Sequence, residues 1–255
     1  MVEKIATGNL CWSVSQYLYH VKRFIKNIAL GSQEHRAEEG GGTLRRRAHN
    51  ILSIWNNEHH DDFGIEKVLR LILAISQFLF LGTYLKEFFG KFGKAYSDLS
   101  IEFFVILKAI LPVLIIYCGW QDNTWLFYLM TWFLVETMLY VPTLIFASDL
   151  FSKPRSYRRS MLLLFINYLE IVFTFGVFYA RGNYLNKPFS HWFDSIYFSF
   201  VTSVTIGYGD YYPVSPMGKF LVSAQSLFFL MFVVLFINFF SNKVEIKGYF
   251  DRDKS

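Results

Sequence analysis

The residues best equipped for chemistry form one unbroken stretch, Thr202-Ser203-Val204-Thr205-Ile206-Gly207-Tyr208-Gly209-Asp210. What this stretch offers is oxygen, from threonine hydroxyls and from a run of backbone carbonyls. A cation that leaves water needs replacement oxygens at similar distances and small energetic cost, and carbonyls repeating about every 3 Å along an extended chain can supply them. Successive carbonyls facing one axis demand backbone angles that a residue with a Cβ resists, a conflict that Gly207 and Gly209 relieve. Gly-Tyr-Gly alone is a common turn signal, so the surrounding sequence has to decide between the two readings.

Elsewhere the reactive side chains lack partners. His59 and His60 sit in a polar run, His59-His60-Asp61-Asp62, with no spaced third ligand, and no nucleophile or phosphate-loop motif occurs. Cys11 and Cys118 cannot build a disulfide framework and have no metal-ligand spacing. These observations argue against an enzyme and against a bound cofactor. Lys108, Glu136 and Glu170 lie inside apolar runs, where a charge is costly unless it is paired or faces water. A Lys108–Glu136 or Lys108–Glu170 pair is expected, because lysine can reach several ångströms along its stem. Asn238, deep in the last apolar run, either faces a lumen or bonds to a neighbouring helix.

The elements that must hold such a stretch are membrane helices. Hydrophobic residues make up 53% of the chain, aromatics 20% and charged residues 18%, and the apolar ones gather in long runs. Runs long enough to cross roughly 30 Å of hydrocarbon as helix occur at 101–120, 125–147, 161–180 and 217–240. The formal net charge of +5 comes from basic residues beside these runs: Lys22, Arg23 and Lys26, then Arg45 to Arg47, then Lys153, Arg155, Arg158 and Arg159. That placement suits a cytoplasmic membrane face and not a nucleic-acid footprint. A cytoplasmic 153–159 loop sends the span from 161 outward, the span 125–147 inward and the span 101–120 outward. The turn Gln121-Asp122-Asn123 is then outside, Lys86, Lys91 and Lys94 are inside, and both termini are cytoplasmic.

A further run at 68–85 is shorter and contains Arg70, Ser76, Gln77 and Thr83. Were it to cross, the basic N-terminal region would lie outside, so an interfacial or partly inserted helix is expected. Residues 11–30 suit a helix on the membrane surface and a short soluble helix equally. Gln16, His20, Lys22 and Arg23 interrupt the first apolar stretch, so no cleaved leader is expected.

The connection 181–216 is too apolar for an exposed loop, with Phe189, Trp192, Phe193, Ile196, Tyr197, Phe198 and Phe200, and should dip into the membrane. Ser190 can cap a short helix reaching about Thr202. In this setting the stretch from Thr202 to Asp210 resembles, position for position, the filter signature of the tetrameric potassium channel family. The resemblance extends through Trp192-Phe193-Asp194, Tyr197-Phe198-Ser199, Tyr212-Pro213 and Gly218-Lys219, and covers about residues 161–240. It implies that Thr205, Ile206, Gly207 and Tyr208 supply carbonyls to dehydrated K⁺ and that the Thr205 hydroxyl adds the innermost oxygen. Gly209 and Asp210 complete the motif. Tyr208 would point away from the axis toward Trp192 and Phe193. The negative end of the pore-helix dipole, near Thr202, would favour a cation in the cavity below. One strand supplies only part of a coordination shell, so the resemblance implies a homotetramer in a lipid bilayer, with K⁺ as permeant ion, no cofactor, and any regulatory partner open.

The expected fold class is therefore an all-α membrane protein: a two-helix pore module with re-entrant pore helix and selectivity filter, preceded by two or three further membrane helices. Its expected divisions are a cytoplasmic N-terminal region 1–66, an interfacial helix and linker 67–100, and a peripheral helix pair with basic loop 101–160. A pore domain 161–240 follows, with outer helix 161–180, pore helix 190–202, filter 205–209 and inner helix 217–240, and then a cytoplasmic tail 241–255. The pair 101–147 is joined by polar residues without a second filter, unlike a two-pore-domain subunit. No helix carries a basic residue at every third position, so voltage-sensor gating is not expected. With only Ser241 to Ser255 after the last run, no nucleotide-binding or ion-sensing regulatory domain is expected, and no glycine lies between Lys219 and Lys247, where many members have a hinge. The expected function is passive, potassium-selective conduction in a cell or organelle membrane. The rivals are a potassium-uptake transporter, whose chains carry several degenerate filters, and a weakly selective cation channel.

Overall fold

The computed structural model describes residues 43–56, 63–146 and 157–244. The 11–30 segment, the His59-His60-Asp61-Asp62 run, residues 153–156 of the basic loop and the tail from 245 lie outside the described residues. The chain folds as an all-α membrane protein. Its helices are α1 (Thr43–Trp55), α2 (Gly64–Ser76), α3 (Leu81–Gly90), α4 (Lys94–Tyr117), α5 (Thr124–Phe146), α6 (Tyr157–Arg181), α7 (Trp192–Ser203) and α8 (Pro216–Val244). Among the described residues the only sheet-like pairing is an isolated antiparallel bridge, Leu185 to Pro213.

Among the described residues, four stretches are long and apolar enough to cross a membrane: Ala95–Tyr117 in α4, Thr124–Phe146, which is α5, Arg158–Arg181 in α6 and Pro216–Asn238 in α8. Hydropathy locates these helices but not their ends, because a helix runs on until a cap or breaker stops it. Thus α4 begins at Lys94, ahead of the apolar run at 101. Likewise α6 begins at Tyr157, which makes Arg158 and Arg159 first-turn residues and not loop. α5 starts where the Asn123 side chain accepts hydrogen bonds from the Trp125 and Leu126 amides at 2.9 and 3.4 Å.

The apolar run at 68–85 is not one straight helix. α2 ends at Ser76, a 3-10 turn covers Gln77–Leu79, and Phe80 is extended (φ −77°, ψ 104°) before α3 begins. Counted as one broken span, this pair brings the possible crossings to five. α2 buries Arg70, Ser76 and Gln77 beyond its end, while Ile65, Val68, Ile72 and Ile75 are exposed. That is the reverse of a water-soluble helix, and it is what an apolar solvent would select.

The described residues divide into two compact units. In the smaller, residues 82–103, the Ser97 hydroxyl donates to the Lys86 carbonyl at 3.0 Å, and the rings of Phe88, Phe89 and Phe92 cluster. The larger, residues 44–81 and 104–244, holds the main core, which includes Ile115, Met130, Phe133, Phe175, Phe198, Phe228 and Phe232. There Arg47 donates to the Gln77 carbonyl at 2.9 Å.

Within that core lies a charged cluster. Lys108 Nζ of α4 stands 3.8 Å from Glu136 Oε2 of α5 and 3.7 Å from Glu170 Oε2 of α6. Its short contact is with Thr137 Oγ1, to which it donates at 2.7 Å, and Thr137 donates onward to Glu170 Oε2 at 2.7 Å. The Phe104 and Phe133 rings flank the ammonium at 5.6 and 5.4 Å. Lysine thus sits between both expected carboxylates, and the threonine, which sequence reading passed over, is the bridge. Removing one member of a buried ion cluster strands the others and costs about 3–5 kcal/mol. Lys108→Met is therefore expected to lower the thermal unfolding midpoint of the detergent-solubilised protein sharply. An unchanged midpoint would remove Lys108 from any docking role.

Candidate functional site

α7 is set at its start by a reciprocal cap. His191 Nδ1 accepts from the Phe193 amide at 3.2 Å, and the Asp194 carboxylate accepts from the amides of Ser190 and His191, each at 2.9 Å. The cap is therefore His191 and not the expected Ser190, because the carboxylate three residues on fixes the register. Asp194 has a further duty: the Tyr211 hydroxyl, just past the 205–209 stretch, donates to it at 3.1 Å. Burial raises the Asp194 carboxyl, but the His191 and Ser190 amides and the Tyr211 hydroxyl outweigh it and hold the group below the usual carboxylate range.

At its other end α7 passes directly into the 205–209 stretch. The Val204 amide donates to the Phe200 carbonyl at 3.1 Å, Thr205 to Thr202 at 3.1 Å, and Ile206 to Val201 at 3.0 Å. Beyond this turn, φ is positive at every second residue: 58° at Thr205, 59° at Gly207 and 79° at Gly209. A strand alternates its carbonyls from side to side; reversing the hand at alternate residues swings them toward one side. Among the described residues no hydrogen bond is donated to the carbonyls of Thr205, Ile206, Gly207 or Tyr208. Sequence reasoning assigned the unusual angles to the glycines alone. The β-branched Thr205 adopts one as well, a conformation that costs about 1–3 kcal/mol and persists only where surroundings enforce it.

The far end of the stretch is tied to the loop after α6. The Asn186 amide donates to the Tyr212 carbonyl and the Tyr212 amide to Asn186 Oδ1, both at 3.0 Å, and the Val214 amide donates to the Tyr184 carbonyl at 3.0 Å. Lys187 Nζ lies 4.5 Å from the centre of the Tyr211 ring, and Phe189 packs on that ring at 5.1 Å. The Tyr197 hydroxyl of α7 is pushed up by burial and then by the Asp210 carboxylate it faces.

The expected packing of Tyr208 on Trp192 and Phe193 does not occur within one chain. Trp192 packs edge-on against Tyr117 of α4 at 5.4 Å and against Phe193 at 5.6 Å, while Tyr208 is 69% exposed. Thr202 is half-buried at the end of α7, and Asn238 is exposed near the end of α8. Lys108, Glu136 and Glu170 come together in the core described above, among helices α4, α5 and α6. Sequence reasoning missed Asn186, Asp194 and Tyr211 as supports. The signal for Asp194 was its place three residues after a cap, hidden because histidine is an unusual cap residue.

A side chain at Gly207 would meet nothing within 4 Å in the chain, so Gly207→Ala tests backbone strain alone. The expected cost is about 1–2 kcal/mol of local strain, read as a lower thermal unfolding midpoint with the helical fold retained by circular dichroism. For Asp194, a depressed carboxyl contributes stability above the usual carboxylate range and loses it as pH falls through the folded value. The gap in unfolding temperature between wild type and Asp194→Asn should thus be full at neutral pH and close on acidification. A gap independent of pH would show that the charge is not what matters.

No curated protein and no solved structure matches the chain. Residues 162–245, from the first turns of α6 to the end of α8, match the model of a family described as Ion channel, and with the membrane-spanning helices this supports an ion channel as the function at its coarsest.

Proposed function

We propose that this chain is one subunit of a potassium-selective channel that conducts K⁺ passively through a homotetrameric pore, with Thr205, Ile206, Gly207, Tyr208 and Gly209 as its selectivity filter. The observation that carries the reading is the run of carbonyls that receive no donor, on a strand whose hand reverses at Thr205, Gly207 and Gly209. Carbonyls without donors are costly in an apolar setting unless a cation takes the place of the donor. The Thr205 hydroxyl adds an oxygen at the α7 end, where the helix dipole is negative.

One strand covers one side of an ion, so copies must surround an axis. The same inference accounts for the exposure of Ile206 and Tyr208 and for the open face of α8 bearing Phe220, Leu227, Leu230 and Ile237. In a tetramer Tyr208 can find Trp192 and Phe193 of a neighbouring copy. Arg158 and Arg159 at the start of α6 support a cytoplasmic side for that end of the helix, and the reading puts both termini on the same side of a cell or organelle membrane. Among the described residues no helix has the basic repeat of a voltage sensor, so opening follows another stimulus.

Purified protein in planar bilayers, with K⁺ on one side and Na⁺ on the other, should give a reversal potential displaced toward the K⁺ equilibrium value. A reversal near zero would replace this reading with a weakly selective cation channel, and K⁺ uptake without a channel-like current would replace it with a transporter.

A further inference from the structure

α7 is pinned from behind along one stripe. Ser195, Ser199 and Ser203 recur at four-residue intervals and are each no more than 1% exposed. Facing them on α6 are Gly176, Val172 and Tyr168, at the same interval and in the opposite direction. Tyr168 donates to Ser203 Oγ at 3.0 Å, and Ser199 Oγ donates to the Val172 carbonyl. At Gly176 a Cβ would stand 3.5 Å from the Ser195 carbonyl oxygen, so the helices approach closely there.

Gln225 of α8 closes this arrangement from a third side. Its Nε2 donates to the Ser199 carbonyl at 2.9 Å and to Ser199 Oγ at 2.8 Å, and its Oε1 accepts from the Tyr179 hydroxyl at 2.8 Å. Gln225 is itself 1% exposed. A buried amide in an apolar helix is costly unless satisfied, and a leucine or methionine would fill the same volume without asking anything of its neighbours. What the amide adds is direction. It fixes one residue of α7 relative to α6 and α8 at once.

That residue lies close to the filter. Val201 and Thr202, two and three residues beyond Ser199, accept the amides of Ile206 and Thr205. A shift or rotation of α7 is thereby handed to the carbonyls at 205 and 206 with no flexible joint between. We infer that Gln225 is a filter-positioning residue: through Ser199 it fixes the height and rotation of the pore helix, and so sets how well the filter distinguishes K⁺ from Na⁺. This rests on the potassium-filter reading above and adds a determinant outside the filter.

The test is the permeability ratio of the full chain in planar bilayers under K⁺ and Na⁺. Gln225→Met removes both donors at nearly constant volume and should lower the ratio about tenfold, the factor that one lost buried hydrogen bond commands. Tyr179→Phe leaves both bonds to Ser199 and should keep the wild-type ratio. Should Gln225→Met fail to assemble, Ser199→Ala, which deletes the hydroxyl end of the relay, should lower the ratio by a smaller factor. A selective wild type with an equally selective Gln225→Met or, in its place, Ser199→Ala overturns the positioning role alone. So does a Tyr179→Phe channel as impaired as Gln225→Met. A wild type that passes both ions alike overturns the filter reading and this role with it.

Discussion

A backbone carbonyl without a donor is the constraint around which this chain is built. In an apolar medium such a group is costly, and helices answer the problem by bonding each carbonyl internally. α6 and α8 do so along their lengths, and α4 and α5 do so except where Pro112 and Pro142 have no amide to give the carbonyls four residues back. The stretch from Thr205 to Tyr208 does the opposite, leaving consecutive carbonyls free and turning them with left-handed residues that include a threonine. Nothing in the stretch itself stabilises that conformation. It depends on ties at both ends: the amides of Thr205 and Ile206 bonded into the last turn of α7, and Asn186, Tyr184 and Asp194 gripping the residues that follow.

The ties are effective because the elements bearing them are themselves fixed. α7 is short, and isolated helices of its length are marginal. It is held by the His191–Asp194 cap at its start and by Ser199 and Ser203 against α6 and α8 along its side. Asp194 serves the cap and Tyr211 together, so the geometry of the helix start and of the residues just after the 205–209 stretch share one carboxylate. The Lys108, Thr137 and Glu170 relay gives α4 and α5 a directional contact with α6, the helix on which α7 leans. Apolar packing alone could not impose that register, because it has no direction and lipid competes with it.

What the sequence made legible, and what it hid, follows from this division. The membrane helices were readable because composition over a long run is a robust signal, although their ends at Lys94 and Tyr157 were not, since caps and not hydropathy end helices. The break at Gln77 to Phe80 was invisible because that run has neither proline nor glycine at the break. The stretch at 205–209 was readable because glycines at fixed spacing state a backbone requirement. Its supports were not. Gln225 is one amide in a long apolar run, Ser199 one hydroxyl among many, and each gains meaning only from the atom it faces. Lys108 announced a need for carboxylates, and both candidates named for it lie within 4 Å, but Thr137, the closest partner, carries no charge to draw attention.

α8 shows how the same distinction bears on movement. It is an unbroken helix of 29 residues with no glycine after Gly218 among those described. Gly218 is pressed against the Tyr184 carbonyl, and its amide donates to Ser215 Oγ at 3.0 Å, so this end is fixed to the same loop that holds Tyr212 and Val214. Gln225 adds a directional tie about two turns along. Further on, Phe228, Phe232 and Leu235 hold the helix by packing, which resists separation more than it resists sliding or rotation. A helix without a flexible joint, fixed by hydrogen bonds near one end and by apolar surface along the rest, concentrates its freedom at the far end. Any displacement there reaches α7 at Gln225 before it reaches the 205–209 stretch.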